Sequence, residues 1–324
     1  RVDRRQRQMC IRDSKSTGSW YTVKSEIGDT FDCKIKGKLR LENINSTKPV
    51  VVGDFVEFDV EDHDQQEVGI IKKIFERRNY ILRKSVNLSK QTHILASNID
   101  LLLLVITLKN PITTTSFIDR FLVGAEAYSI KTMLVFNKCD LYDKVDEDTL
   151  NSLINIYDSI GYETIKTCAN SGKGIKELEK KISNKTIMLG GHSGVGKTSI
   201  INAIDGALNL KVGNISDQHS QGKHTTTYAE LYDLDNNIKL IDTPGIKGFG
   251  LVNYNIDEIS NFFPEFFNVK SKCKFNNCIH LNEPKCYVKE KVKSGEISKS
   301  RYDSYMQIIN CLLYTSPSPR DKRQ

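Results

Sequence analysis

Gly191-His192-Ser193-Gly194-Val195-Gly196-Lys197-Thr198 fits the pattern G-x-x-x-x-G-K-[ST], and its surroundings decide how it is read. An apolar run at 186–189 precedes it, and the apolar segment 200–204 follows. Strand, glycine-rich turn and helix in that order let backbone N–H groups converge on phosphate oxygens at a helix N-terminus. In this setting the Lys197 ammonium meets β- and γ-phosphates, and the Thr198 hydroxyl ligates Mg²⁺.

Working outward, Asp242-Thr243-Pro244-Gly245 follows the apolar run 238–241. A carboxylate at a strand end can enter the Mg²⁺ shell, and the Gly245 N–H can reach the γ-phosphate. Upstream, Asn137-Lys138-Cys139-Asp140 follows the run 132–136. A carboxylate can accept both the N1–H and the exocyclic amine of guanine, which adenine does not offer. Asp140 therefore makes the base choice, while Asn137 and Lys138 hold the loop and flank the ring, with Cys139 a further candidate nucleotide contact between them and Asp140. Cys168 and Ala169, opening Cys168-Ala169-Asn170-Ser171-Gly172-Lys173-Gly174, stand where a second base-contacting loop is expected, on a looser match.

The order of these motifs is unusual. In ordinary small GTPases the phosphate loop comes first and the guanine loop late; here the guanine loop precedes it by about fifty residues. A parallel sheet can be closed from either starting point, so a circular permutation keeps the site and moves the chain ends beside the Asp242 loop. Ile246 follows Asp-Thr-Pro-Gly where many GTPases carry a water-orienting Gln, and an aliphatic side chain cannot position water. His224 is a candidate substitute, although a solvated loop residue is an equally good reading. Among Thr225–227, Thr226 is the candidate Mg²⁺ ligand. Slow intrinsic hydrolysis, accelerated by a partner, is expected.

Residues 86–250, which contain these motifs, alternate apolar runs with segments of helical spacing. Phe117, Phe121, Leu122 and Ala125 share one face, as do Leu150, Leu153, Ile154 and Tyr157. That alternation predicts a parallel sheet covered on both sides. Residues 15–85 have period 2 instead: Phe31, Cys33 and Ile35 alternate with Asp32, Lys34 and Lys36, and Val56, Phe58 and Val60 with Glu57 and Asp59. A polar loop is expected at 61–67 and a further strand at 68–75. Short strands of this kind suit an oligonucleotide-binding barrel (OB-fold), although the pattern alone does not separate it from other small β barrels.

Residues 251–310 are mixed and mostly helical, around Cys273-x₄-Cys278-x-His280-x₅-Cys286. Three thiolates and one imidazole complete a tetrahedron and leave no open position, so one structural zinc is expected. Lys270, Lys272, Lys274, Lys285, Lys289, Lys291 and Lys293 surround it, and Arg77, Arg78, Arg83 and Lys84 form a second basic cluster. Both are candidates for RNA phosphate contact.

The two ends read differently from the rest. Residues 4–14 resemble an in-frame translation of a sequencing adapter, and 311–321 its reverse complement, so 1–14 and 311–324 are expected to be adapter-derived. The chain has 47 Lys+Arg and 40 Asp+Glu; the head holds five basic and two acidic residues and the tail three and one, leaving 39 against 37. Hence global charge gives no argument for a polyanionic partner. Six of the eight cysteines lie between these ends, three of them beside one histidine, which favours a metal site in a reducing compartment over a disulfide framework. The longest apolar run, 99–106, is too short to cross a bilayer. No signal peptide is visible, and a cytoplasmic monomer without membrane attachment is expected.

Together, the permuted motif order and this Cys/His spacing resemble the ribosome small-subunit-dependent GTPase A (RsgA-type) family over essentially all of residues 15–310. The resemblance implies an OB-fold barrel, a circularly permuted GTPase domain and a zinc-binding domain. It also implies binding of GTP and GDP, and GTP hydrolysis stimulated by the small ribosomal subunit during its late maturation, with barrel and zinc module gripping ribosomal RNA. His192 departs from the Gln or Pro common in relatives, Thr198 from Ser and Cys168 from Ser; the first two remove no required donor. Two other classes compete: a zinc-dependent RNA-binding protein with a regulatory or vestigial nucleotide site, and a P-loop ATPase or kinase with an RNA module. Intact Lys197, Thr198 and Asp242 argue against the first, and Asp140 against the second.

Overall fold

The computed structural model describes residues 6–9, 11–12, 20–25, 28–35, 49–63, 66–84, 92–206, 230–242 and 254–315. Its centre is a six-stranded sheet built from strands β9 (Leu101–Ile106), β10 (Thr132–Phe136), β11 (Glu163–Lys166), β12 (Thr186–Gly190), β13 (Glu230–Leu234) and β14 (Ile238–Asp242). The spatial order is β11-β10-β9-β12-β14-β13, parallel throughout except for β13, which runs antiparallel at the edge. Strands β9, β10 and β12 are buried along their whole length, as near-continuous apolar runs require when both faces of a sheet are covered. Helices α1 (Thr115–Ala127) and α2 (Lys144–Ser159) cover one face, with Phe121, Leu122, Leu150 and Tyr157 in its core. Helices α3 (Ile175–Ile182) and α4 (Lys197–Ile204) cover the other.

The N-terminal module is a second six-stranded sheet of β1 (Gln6–Met9), β2 (Ile11–Arg12), β3 (Trp20–Lys24), β4 (Thr30–Ile35), β5 (Phe55–His63) and β6 (Gln66–Ile74), in the order β1-β5-β6-β4-β3-β2. Val23, Cys33, Val56, Phe58 and Ile71 form its core, the inward positions of the period-2 pattern. Burial pushes the Cys33 thiol up to about 12. Two expectations differ here. The polar loop at 61–67 is largely strand, because Glu61–Val68, Asp62–Glu67 and His63–Gln66 pair across the hairpin through backbone bonds that need no apolar residues. Strands β1 and β2 fall among the residues expected to be adapter-derived: they pair with β5 and β3, since any extended main chain can add to a sheet edge.

The hairpin β7 (Tyr80–Lys84) with β8 (Thr92–Ser97) spans the boundary expected at residue 85. It is tied to the barrel through Asp54, which accepts from Arg77 Nε and Nη2 at 2.6 Å each and from Ser97 Oγ at 2.6 Å. Arg78 pairs with Asp100 at 2.8 Å. The RNA-contact expectation for this basic cluster is therefore corrected at Arg77: its guanidinium is buried against Asp54 and fixes the modules instead of facing solvent. The side chains of Arg83 and Lys84 lie outside the described residues.

The C-terminal segment forms a 3₁₀ stretch (Ile256–Phe262), a helical turn at Pro264–Phe267, then α5 (Tyr287–Lys293) and α6 (Lys299–Thr315), the last running beyond residue 310. Its core of Ile259, Phe263, Phe266, Val288, Tyr305 and Ile309 includes Val123 of α1, so the segment is docked on the central domain. Arg301 of α6 is buried at that junction. It donates to Asp119 Oδ1 of α1 at 2.7 Å and to Glu265 Oε1 at 2.7 Å, while Tyr157 OH donates to Asp119 Oδ1 at 2.8 Å. Truncating one member of a buried ionic set strands its partners without counter-charge, at a cost of about 3–5 kcal/mol. Arg301→Ala is accordingly expected to lower amide-exchange protection in α6 by several orders of magnitude while sparing β9 and β10; unchanged protection in α6 would show that the ionic set does not hold the docking.

Candidate nucleotide and metal sites

The carboxyl ends of β10, β9, β12 and β14 lie side by side, which puts the loops that follow them on one edge of the sheet, where open α/β sheets take ligands. Phe136 pairs with Ile106 and Leu104 with Gly190, so the chain leaves β10 at Asn137 and β12 at Gly191 on either side of β9. Met188 pairs with Ile241, which brings Asp242 level with Leu189 at the mouth of the phosphate loop. The loops that were distant and permuted in sequence are thus neighbours.

Asn137 joins them. Its side chain is buried; Nδ2 donates to the Val195 carbonyl at 2.9 Å, and Oδ1 accepts from Thr167 Oγ1 at 3.1 Å and the Ala169 N–H at 3.3 Å. One amide therefore binds the phosphate loop to both loops expected to contact the base. A Cβ at Gly196 would come within 2.3 Å of Asn137 Nδ2, and Gly196 has φ +96°, so this position demands glycine for space as well as conformation. At Gly191 (φ +129°) a Cβ would lie 2.4 Å from the Val105 carbonyl oxygen.

Lys138 adopts a left-handed conformation, and its ammonium donates to the Asn110 carbonyl at 2.6 Å. Cys139 turns inward, its thiol directed at the Phe136 carbonyl at 3.2 Å, and burial raises its pKa. Asp140 is left exposed on the one-turn helix Cys139–Leu141. Cys168 is buried, its N–H donating to the Lys173 carbonyl at 2.9 Å, and Ala169 follows it beside Asn137. In the phosphate loop Val195 is buried in the sheet core, while Ser193 and Gly194 are exposed. Lys197 Nζ curls back to the carbonyls of Gly191 at 3.0 Å and His192 at 2.7 Å. Thr198 is buried and Ser199 half-buried in the first turn of α4. A Thr198 hydroxyl in the first turn of α4 and an Asp242 carboxylate at the end of the neighbouring β14 are hard oxygen donors of the kind Mg²⁺ takes alongside phosphate. Gly245, Ile246, His224 and Thr226 lie outside the described residues.

Several supporting residues escaped sequence reasoning. Tyr142 OH donates to the Asn137 carbonyl at 2.8 Å and accepts from the Leu108 N–H at 2.9 Å, bracing the base loop from below. Phe117 of α1 stacks on the His192 ring, with centroids 3.8 Å apart. Burial and the nearby Lys197 charge lower the His192 pKa. A Tyr two residues beyond Asp140 is a visible signal with many other readings; the Phe117 contact spans 75 residues and has no local signal.

In the C-terminal module the ligand atoms of Cys273, Cys278, His280 and Cys286 lie within 4.8 Å of one another. His280 Nδ1 stands 3.3 Å from Cys286 Sγ and 3.7 Å from Cys273 Sγ. Burial lowers the His280 pKa to about 4, so its ring is neutral and can donate a lone pair to a metal. The backbone around it is fixed by Tyr302 OH to the His280 carbonyl and Tyr305 OH to the Ile279 carbonyl, both at 2.7 Å, and by Glu283 accepting from the Ile279 and Leu281 N–H groups at 2.8 Å each. The set fits one structural zinc. One equivalent of zinc per chain is therefore expected. A strong chelator should release it and expose the amides of 273–293 to exchange, while GTP affinity changes by less than about threefold; retention of protection after zinc loss would rule out a structural metal.

The RsgA GTPase family profile matches residues 74–252, and the RsgA N-terminal domain profile residues 14–71. A relative from Christiangramia forsetii, named small ribosomal subunit biogenesis GTPase RsgA, is 56% identical over 295 residues, covering 91% of this chain and 94% of that protein. One of the same name from Flavobacterium psychrophilum is 54% identical, covering 91% and 90%. Among solved structures, YjeQ from Thermotoga maritima superposes with a TM-score of 0.75 at 34% identity, covering 96% of this chain and all of that one. YloQ, described as a circularly permuted GTPase, also gives 0.75, at 28% identity and 98% coverage of both chains. With the loops at 137–140 and 168–174 ahead of the phosphate loop in sequence and all three bound together by Asn137, this chain belongs to the RsgA GTPase family and is a circularly permuted GTPase.

Proposed function

We propose that this chain is a switch in late maturation of the small ribosomal subunit, binding one guanine nucleotide with Mg²⁺ and hydrolysing GTP when seated on the subunit. The observation that carries the reading is the Asn137 side chain bound to the Val195 carbonyl, which gives the Asp140 loop and Lys197 a common frame. In this reading Asp140 accepts from the guanine N1–H and amine, with Lys138, Cys168 and Ala169 lining the base. The N–H groups of 191–197 surround the phosphates, Lys197 neutralises them, and Thr198 and Asp242 hold Mg²⁺. Gly245 offers its N–H to the γ-phosphate, Thr226 joins the Mg²⁺ shell and His224 takes the water-orienting role that Ile246 cannot fill.

The zinc module supports an RNA-binding role. Lys272, Lys274, Lys285 and Lys293 are exposed, and Phe267 and Phe275 are exposed with Lys270 and Lys274 over their rings at 5.2 and 5.3 Å. Cations interleaved with aromatic faces are suited to phosphate and stacked base together. Lys289 and Lys291 belong to the fold instead, bonded to the Leu281 carbonyl and to Glu296. No helix among the described residues is long and apolar enough to cross a membrane. The chain is read as a cytoplasmic monomer working on ribosomal RNA.

Single-turnover GTP hydrolysis should be slow for the isolated chain and at least about tenfold faster with purified small ribosomal subunits, with Lys197→Ala removing both rates. Fast hydrolysis alone, or no acceleration by subunits, contradicts the proposal.

A further inference from the structure

Among the described residues six large apolar side chains stand exposed, and three of them flank the base loop: Ile112 at 70%, Leu141 at 51% and Val145 at 74% accessibility. They lie on two segments that are pinned together. Lys109 binds Asp143 at 2.9 Å and also Asp146, and the Leu108 N–H donates to Tyr142 OH at 2.9 Å. Single exposed aliphatic residues need no explanation, but half of all those described, on one braced ledge, form a patch.

The charge around the ledge says what can cover it. Helix α2 carries Asp146, Glu147, Asp148 and Asp158 against Lys144 alone, with Asp143 at its N-cap. Two of the nearby ammonium groups are engaged, Lys109 by Asp143 and Asp146 and Lys138 by the Asn110 carbonyl, while Lys144 is exposed at the start of α2 and leaves the acidic residues in excess. Such a surface repels phosphate and attracts cations. Its apolar members are also aliphatic, without the flat faces on which bases stack, in contrast to Phe267 and Phe275 beside their lysines. Proteins that sit among nucleic-acid phosphates are rich in Lys and Arg.

We propose that the ledge of Ile112, Leu141 and Val145 docks a basic, apolar-bearing protein segment of the small ribosomal subunit, an assignment that rests on the subunit-dependent reading above. A segment seated there would touch the residues on either side of Asp140, so subunit docking and nucleotide occupancy would be sensed by the same loop.

Two full-length variants test it: Ile112→Ser with Val145→Ser, and Glu147→Lys with Asp148→Lys. GTP affinity and unstimulated turnover are expected to stay at the wild-type level in both, which controls for folding. Co-sedimentation with purified small subunits should weaken roughly tenfold in each. A photo-crosslinker placed at Val145 should attach to a subunit protein. Subunit binding equal to wild type, or a crosslink to ribosomal RNA or to a second copy of the chain, overturns the proposal. If the wild-type chain itself does not bind subunits, the subunit-dependent reading falls and the docking site falls with it; wild-type binding with no loss in either variant removes the docking site alone.

Discussion

The amide of Asn137 is the constraint on which the rest of the structure depends. Its two ends bind loops separated by 58 and 32 residues, the phosphate loop at Val195 and the second base loop at Ala169. Buried and with both polar atoms bonded, it fixes the distance between the Asp140 loop and the phosphate loop. A parallel sheet supplies the setting by ending β10, β9, β12 and β14 on one edge, and the order in which the chain visits those strands is immaterial to the pocket. That is why permutation is tolerated: the site depends on adjacency in the sheet, while the chain ends are free to lie where a partner module is useful.

The consequence of the permutation is felt at the C-terminal module. In sequence Asp242 is followed by a zinc-fitted unit, described from residue 254, whose core includes Val123 of α1 and whose Arg301 is buried between Asp119 and Glu265. Helix α1 also bears Phe117, stacked on His192 of the phosphate loop. One helix therefore touches a side chain of the phosphate loop near its start and the metal-fitted module along its length. A short physical route, through packed side chains and a buried ionic set, thus joins the phosphate loop to the zinc-fitted module.

Much of this was legible in sequence because it rests on local spacing. Gly191, Gly194, Gly196 and Lys197 announce a phosphate loop by the backbone conformations they permit, and four metal ligands within fourteen residues announce a tetrahedral site. The strands β9, β10, β12 and β14 were visible as short apolar runs. What the sequence did not show depends on distant partners. Arg77 reads as part of a basic run, yet its partner Asp54 lies 23 residues away and removes it from solvent. Arg301 reads as an ordinary cation on a polar helix, and only its meeting with Asp119, 182 residues earlier, makes it structural. The edge strand β13 buries Leu231 and Leu234 without a period-2 alternation, and residues 61–63 and 66–67 of the hairpin ladder are all polar, so neither leaves a strand period to detect.

The central claim is that Asp140 reads the base of the same nucleotide whose phosphates Lys197 holds. Xanthine carries a carbonyl where guanine carries its exocyclic amine, so the side-chain amide introduced by Asp140→Asn can donate where the carboxylate accepted. The direct measurement is nucleotide affinity of Asp140→Asn for GTP, XTP and ATP, alone and combined with Lys197→Ala. The account predicts a loss of GTP affinity of about 100-fold or more and a gain of XTP binding that Lys197→Ala abolishes. Unchanged GTP affinity in Asp140→Asn, or XTP binding indifferent to Lys197, would contradict it.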